Sequence, residues 1–545
     1  MKKEIMLLDC TLRDGGYVND WDFGHSVITG TFKRLDSAGI DIIEVGFLDD
    51  RRPFDINRTI MPNTNAINTI YGNIKTKNAM TVAMIDFGTC SLENIGECKD
   101  TFIDGIRVIF KKEKINSALP FCKAIKEKGY KLFIQAISIT SYSDGEMLNY
   151  VEKINEIKPY AFSIVDTYGL MHKDKLNKYF YLIDNNLDPS ISLGYHPHNN
   201  FQLGYSNVMN IVELETNRRI IVDSTVYGMG KGAGNCCTEL VTMHLNSKYN
   251  KHYDISHILE IIDTDLMTIY EKHYWGYKYD FYISALNDCH PNYVQYLLDK
   301  KTLSIKDINS ILQAIPKEKK LLNNASYIEQ MYIDFQANTI EDCESYDEIK
   351  SKIGVTKVLL LGPGKTISTE SEAIRKFISD NNPIILSTNF MTREYDIDFV
   401  FISNAKRYSK LADMGDGFDI KAKLIATSNI SELDYPIDYL LNYESLIQKG
   451  SEVADNVLLI LLNALLKMDI YEVYLGGFDG LLIDDDSDNY FERGYSFVSD
   501  KALKQSRNAA MSMSIKALSD RIKINFITTS LYNEKGEKLD KMHYI

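Results

Sequence analysis

Eight short apolar or β-branched runs recur between residues 5 and 226, each separated from the next by a stretch with helical spacing. The runs occupy 5–10, 40–47, 81–86, 105–110, 131–138, 161–166, 191–196 and 219–226. Between them lie segments such as 24–39 and 115–129, whose polar and apolar spacing fits amphipathic helices closed by glycine. Eight strand-helix repeats at this rhythm predict a (β/α)8 TIM barrel, a fold whose chemistry collects at the C-terminal ends of its strands.

Reactive side chains gather at those predicted ends. Arg13 and Asp14 follow the first run, Glu44 lies in the second, Asp86 ends the third and Gln135 lies on the fifth. Asp166 and Thr167 end the sixth, His196 and His198 the seventh, and Asn235 follows the eighth. His196 and His198 are two residues apart, so on a strand their imidazoles project the same way. At a barrel mouth they present two neutral nitrogen ligands to one metal ion. The carboxylate that completes the set must come from elsewhere, and Asp14 in LLDCTLRDGGY is the candidate.

A chain of 545 residues is too long for one ordinary core, so two or more domains are expected. The formal net charge of -14 argues against a general nucleic-acid binder or a binder of acidic membranes. No uncharged apolar stretch of about 18 residues is present, and the opening KKEIMLLDC is too short for a signal peptide. The longest apolar run, 456–468, reads as a buried helix. The 8 cysteines have no paired C-x-x-C spacing and read as reduced thiols. A soluble cytoplasmic enzyme is expected, a homo-oligomer with no membrane span and no nucleic-acid partner.

TLRDG at 11–15, HPHNN at 196–200 with Asn207 behind it, and GMGKGAGN at 228–235 carry a resemblance. Together they resemble the metal-dependent aldolase, lyase and acyl-transferase family that includes hydroxymethylglutaryl-CoA lyase, isopropylmalate synthase and 4-hydroxy-2-oxovalerate aldolase, over roughly 4–310. The resemblance implies that Asp14, His196 and His198 bind a divalent cation and that Asn235 adds an oxygen ligand. It tilts the metal toward manganese or magnesium, while the mixed donor set also suits cobalt or zinc. Chemistry of this kind passes through an enolate, whose oxygen needs a Lewis acid and a fixed donor. Arg13, next to a metal ligand, is the natural donor.

Glu44 is a further candidate catalytic group, and Gln135, Thr167 and Asn199 are candidate substrate contacts. Two departures from the family stand out. The catalytic-base histidine of the oxovalerate aldolases is replaced by Tyr17, so either the base differs or Tyr17 is a catalytic residue working through a water, and Gln202 takes the place of a glycine after the histidine pair. His290 and Tyr293, in CHPNY, are candidate replacements for the base and acid. The glycine-rich run 228–235 reads as a loop closing over the metal site, ahead of a phosphate cradle, with Lys231 as its cation.

The expected division is a barrel over 1–248, a helical appendage over 249–352 and a doubly wound Rossmann-like α/β domain over 353–545. The last is predicted from strand-like runs near 358 and at 383–388, 398–403, 422–427, 471–475 and 523–528. It vaguely resembles domains from surface-polysaccharide loci related to hydroxymethylpterin pyrophosphokinases and sialyltransferase-like enzymes. That resemblance suggests a nucleotide or nucleotide-sugar at Gly362 and Gly364, with Asn389 and Asp479 at neighbouring strand ends; a degenerate domain used for assembly is the alternative. Asp484, Asp485, Asp486 and Asp488 read as a solvated acidic loop. The leading expectation is a metal-dependent aldolase joining or splitting a 2-oxo acid such as pyruvate and an aldehyde. The alternatives are a Claisen-type acyl-CoA transferase, or a retired barrel carrying a C-terminal glycan or nucleotide-sugar transferase.

Overall fold

The computed structural model describes residues 3–533 except 78, 301, 414–420, 431–435, 448–452, 483–489 and 491–500, with no side chains described at 412–413 and 501–503. The acidic run Asp484, Asp485, Asp486 and Asp488 lies outside the described residues. The chain divides into two compact units, Met1–Pro291 and Asn292–Ile545. The helical stretch 249–352 is shared between them.

In the first unit the eight predicted runs form β1 (Glu4–Asp9), β2 (Ile42–Leu48), β3 (Met80–Asp86), β4 (Gly105–Ile109), β5 (Lys131–Ala136), β6 (Ala161–Asp166), β7 (Ser192–Pro197) and β8 (Arg219–Ser224). All pair in parallel in chain order, and β1 pairs with both β8 and β2, so the sheet closes into a barrel. A two-residue strand, Ile60–Met61, adds to the outer end of β2. The connecting helices start and stop where local chemistry directs. Asn63 caps Thr64–Tyr71 by accepting from the Ala66 N–H (2.9 Å), and Ser143 and Glu146 form a capping box on Asp144–Ile157. Gly39 and Gly129 follow helices His25–Ser37 and Ile115–Glu127 at φ 83° and 93°, the left-handed stop that favours glycine.

The parity of the strands sets up the site. Outward residues such as Leu7, Ile43, Ala83 and Ile106 pack beneath helix residues including Phe32, Ile67, Ile125 and Phe180 in the main core. Inward residues Leu8, Ile42, Val82, Phe133, Ala161 and Ile221 form a separate apolar plug inside the barrel. Two residues further along β2, β5, β6 and β8, on the same face, stand Glu44, Gln135, Ser163 and Asp223, and Arg107 and His196 stand two residues past the inward Gly105 and Gly194 of β4 and β7, all buried. The barrel interior thus changes from hydrocarbon to ionised groups in one step toward the C-terminal ends.

In the second unit, helices Pro291–Lys300, Ile305–Ala314, Ala325–Gln336 and Cys343–Ile353 precede a seven-stranded parallel sheet. The Ile305–Ala314 helix carries the predicted serine cap, closed as a box by Ser304 and Asp307. The strands are β9 (Val358–Leu361), β10 (Ile384–Thr388), β11 (Phe399–Ile402), β12 (Lys423–Thr427), β13 (Tyr439–Leu441), β14 (Glu472–Gly476) and β15 (Lys523–Phe526). Their spatial order is β13-β12-β11-β10-β9-β14-β15. Neighbouring residues of β9 face different cores, Leu360 toward one cluster and Leu359 and Leu361 toward another, so both faces of the sheet are covered. Sequence analysis foresees six of these strands and misses β13, which is three residues long and follows Pro436 closely. The apolar run at 456–468 is the buried helix Val457–Lys467, with residues 458–462 all buried. No described helix is long and apolar enough to cross a membrane.

Gly46 makes β2 compatible with the extra strand. Its φ is 151°, a Cβ there would collide with the Thr59 carbonyl oxygen, and the β2–β3 register shifts between Glu44 and Phe47. Gly46→Ala is therefore expected to destabilise the first unit by about 3 kcal/mol, the scale of a strained backbone plus a steric clash. Thermal unfolding followed by circular dichroism checks this; an unchanged melting profile would refute the steric reading.

Candidate metal centre at the barrel mouth

The TLRDGG segment leaves β1 as a tight helical turn, Thr11–Asp14, with all four residues buried. The glycines after it allow close packing: a side chain on Gly15 would strike the Thr11 carbonyl, and one on Gly16 would strike the Trp21 ring. Trp21 in turn anchors the turn by donating from Nε1 to the Arg13 carbonyl (2.8 Å). Asp14 is thereby aimed across the mouth at the end of β7. One ligand atom from each of Asp14, His196 and His198 lies within 4.8 Å of the others.

An ionic chain runs beneath this trio. Arg13 donates from Nη1 to Asp14 and from Nε to Glu44 (2.7 Å). Glu44 also pairs with Arg107 Nη1 at 3.0 Å. Arg107 donates from Nη2 to Asp223, and Asp223 Oδ2 lies 2.9 Å from His196 Nδ1. Gln135 accepts from Arg107 at 3.3 Å and lies 3.2 Å from the Ser163 hydroxyl. Three carboxylates, Asp14, Glu44 and Asp223, therefore face two guanidiniums, Arg13 and Arg107, in a water-poor interior. One negative charge is left uncompensated.

The protonation states suit a cation. Burial alone would raise the Asp14 carboxyl, but Arg13 and the two imidazoles overcome it and hold the group well below the usual carboxylate range. Burial pushes His198 down to about 3, so its imidazole is neutral and able to ligate at ordinary pH. Asp223, also opposed by burial, is lowered by Arg107 and His196. Asn235 donates from Nδ2 to Asp14 while its Oδ1 is buried with no hydrogen-bond partner among the described residues. Two nitrogen donors, a carboxylate and an orphaned amide oxygen around an unbalanced negative charge fit a divalent cation.

The run 228–235 folds onto this group. A Cβ on Gly230 would lie 2.7 Å from Asp14 Oδ2, and the Gly234 carbonyl accepts from the Asn199 N–H (2.8 Å). Lys231 reaches the mouth, with Nζ 5.3 Å from the Tyr17 ring centroid. Tyr17 is 39% exposed, packs 4.7 Å from Trp21, and its surroundings push the phenol up to about 12, so it stays protonated. His290 lies edge-on to Tyr168, 6.1 Å away, on the loop after β6. Burial, then the nearby Lys231 ammonium, brings its imidazole down to about 4.

Other residues singled out in the sequence have identifiable partners. Glu44 is fully buried between the two arginines. The Thr167 hydroxyl accepts the Ser138 N–H (2.7 Å), and Asn199 Oδ1 accepts the Gly204 N–H (3.0 Å). Asp166 accepts the N–H groups of Leu170 (2.9 Å) and Met171 (3.1 Å), and Asn207 donates to the Met171 carbonyl (2.7 Å). The Tyr293 hydroxyl donates to the Lys319 carbonyl (3.1 Å) and accepts the Asn324 N–H (3.2 Å) within the second unit. Sequence analysis misses Arg107 and Asp223. Their signal was a lone charge inside an apolar run, in GIRVIF and RIIVDSTV, at the same inward parity as the plug.

Asp223 orients His196, so Asp223→Asn is expected to weaken divalent-metal binding by about 10- to 100-fold, the usual effect of removing a carboxylate that steers a ligating histidine. Equilibrium dialysis with manganese, read by elemental analysis, measures it; unchanged affinity would remove Asp223 from the centre.

The first half of the chain is similar to known proteins. Residues 4–264 match the family model described as HMGL-like. An oxaloacetate decarboxylase of Mycobacterium tuberculosis is 21% identical over 280 residues, 49% of this chain and 77% of the relative. A 4-hydroxy-2-oxovalerate aldolase of Pseudoalteromonas translucida is 22% identical over 271 residues, 50% of this chain and 78% of the relative. Among solved structures, the HMG-CoA lyase of Brucella melitensis aligns over 49% of this chain and 98% of its own, at 16% identity and TM-score 0.40. Over residues 4–264, a little under half of its length, the chain is similar to the HMGL-like family.

Proposed function

We propose that the first unit is a divalent-metal-dependent carbon-carbon lyase or aldolase acting on a 2-oxo acid of the pyruvate type, with an aldehyde as partner. The observation that carries this reading is the convergence of Asp14, His196 and His198 above the buried Arg13–Glu44–Arg107–Asp223 chain. Relatives described as a 4-hydroxy-2-oxovalerate aldolase and an oxaloacetate decarboxylase support the substrate class. Asp14, His196, His198 and Asn235 would hold the cation, which would supply a Lewis acid for substrate oxygens; manganese or magnesium is favoured.

The chain's own residues do the rest. Arg13 is fixed by Glu44 and Asp14 through Nε and Nη1, which leaves Nη2 for the oxygen where enolate charge develops. Fixing that guanidinium beforehand avoids reorganising it during reaction. Glu44 acts through Arg13, as a positioning residue. The excess positive charge that a divalent cation would leave at the mouth suits an anionic substrate. His290, neutral at pH 7, is the proton acceptor, and the protonated Tyr17 phenol is the donor. Lys231, at the mouth, favours anionic substrates.

Deuterium exchange into the methyl group of pyruvate, with and without manganese, tests this directly. Metal-dependent exchange that falls below detection in Asp14→Ala and His198→Ala is the expected result. Bound metal with no exchange would overturn the pyruvate reading in favour of an acyl-CoA donor, and exchange preserved in either variant would overturn the site. Separately, Arg13→Ala is expected to lower kcat about 10²- to 10³-fold, the cost of removing one preorganised oxyanion donor. His290→Ala is expected to lower kcat by a similar factor of about 10²- to 10⁴-fold for lost general base catalysis. Unchanged kcat in steady-state assays would remove the residue from its role.

A further inference from the structure

Apart from the metal centre, the barrel mouth carries a second polar group, at the ends of β3 and β4. The inward residues of β3 run from Val82 in the apolar plug, through Met84 in a cluster with Trp21, Phe47 and Ile60, to Asp86 at the carboxyl end. Ala83 and Ile85, on the other face, pack under the helices. On β4 the same parity gives Gly105, Arg107 and Ile109 inward, with Ile106, Val108 and Phe110 under the helices. The backbone at Lys111 is still extended (φ -72°, ψ 155°), so its side chain leaves on the inward face. Asp86 pairs in register with Ile109, which sets Lys111 two residues beyond that partner and on the same side.

The half-buried Asp86 carboxylate and the exposed Lys111 ammonium each lack a hydrogen bond and an ion pair among the described residues. Burial raises the Asp86 carboxyl, against the opposing pull of Lys114, Lys111 and Arg51. Of these cations, Arg51 is tied to Asp49 (2.7 Å), and Lys114 Nζ lies 6.0 Å from the Phe87 ring centroid. A carboxylate partly stripped of water, with no donor in its place, is destabilising, and a ligand that supplies donors relieves it. Both ions border the reacting groups: Asp86 acts electrostatically on the Tyr17 phenol, and Lys111, with Lys231, on the His290 imidazole. Beneath them lies an apolar floor of Trp21, Phe47, Met84 and Ile109.

We propose, resting on the aldolase reading above, that Asp86 and Lys111 select a hydroxylated aldehyde as the electrophile, its hydroxyls donating to the Asp86 carboxylate and accepting from the Lys111 ammonium. A hydroxyl both donates and accepts, so it satisfies both ions. A carboxylate or phosphate at this end of the aldehyde meets Asp86, an ammonium meets Lys111 and Lys231, and an alkyl chain leaves both ions without partners. In the addition direction the pyruvate methyl carbon gives a proton to His290 and forms a bond to the aldehyde carbon. The carbonyl π pair passes to the aldehyde oxygen, which takes the Tyr17 proton, and solvent returns the proton from His290 to Tyr17. Cleavage reverses these steps, and the hydroxyls beyond the reacting carbon stay intact in both directions.

The full chain with manganese, pyruvate and the matched aldehydes propanal and glyceraldehyde tests this, with succinic semialdehyde as the anionic competitor. Deuterium exchange into pyruvate without aldehyde is the control. Glyceraldehyde is expected to exceed the other two at least about 10-fold in kcat/KM, roughly the effect of one charge-assisted hydrogen bond. Asp86→Asn and, separately, Lys111→Met are each expected to cut that preference about 10-fold, by lowering kcat/KM for glyceraldehyde more than for propanal. A residue that only supports the fold would lower both alike, so an unchanged ratio in either folded variant would overturn the assignment. Lys111 is exposed, so its variant reads specificity even where Asp86→Asn fails to fold. Exchange in the wild type without a preference for glyceraldehyde, or with succinic semialdehyde preferred, refutes the hydroxylated electrophile and leaves the aldolase reading standing. No exchange at all refutes the aldolase reading, and the selection of the electrophile falls with it.

Discussion

The alternation of charge from Asp14 through Arg13, Glu44, Arg107 and Asp223 to His196 is the constraint on which the first unit depends. None of these ions could be buried alone. Removing one partner of a buried pair costs about 3–5 kcal/mol, because the other is left unsolvated and unpaired. Linked in series, each carboxylate shields a guanidinium and each guanidinium shields two carboxylates. The chain also reaches strands β2, β4, β7 and β8 and the turn after β1, so the ionic order and the closure of the barrel constrain each other.

That arrangement serves the mouth in two ways. It fixes the rotamers of Arg13 and His196 from below, which preorganises the groups proposed to meet substrate and metal. It also leaves a single negative charge unbalanced, an expense that a divalent cation offsets. The apolar plug of Leu8, Ile42, Val82, Phe133, Ala161 and Ile221 keeps water from reaching the ions through the other end of the barrel.

The two units use parallel strands differently. In the first, closure brings all eight strand ends to one mouth, and functional residues come from six or more segments. In the second, the open sheet has one place where winding reverses, and a cavity lies there. Both solutions set polar groups at carboxyl ends of strands, where the chain leaves regular pairing and side chains can converge.

Much was legible in the linear sequence. The eight barrel runs, the buried helix at 456–468 and the Ser304 cap follow from periodicity and local capping, which depend on neighbours a few residues apart. The His196, His198 spacing reads directly as one face of a strand. The β13 strand escaped because three residues carry no period. Arg107 and Asp223 escaped because a charge inside an apolar run makes sense once its partner is seen, and those partners lie 116 positions apart. The same holds for the glycine turn at 362–364, whose sequence suggests an open phosphate loop while Asp479, 113 residues away from Thr366, closes it. Local chemistry determined the elements and which residues could react; only the tertiary structure decided which charges meet, because Coulombic pairing in a water-poor interior depends on distance in space and not along the chain.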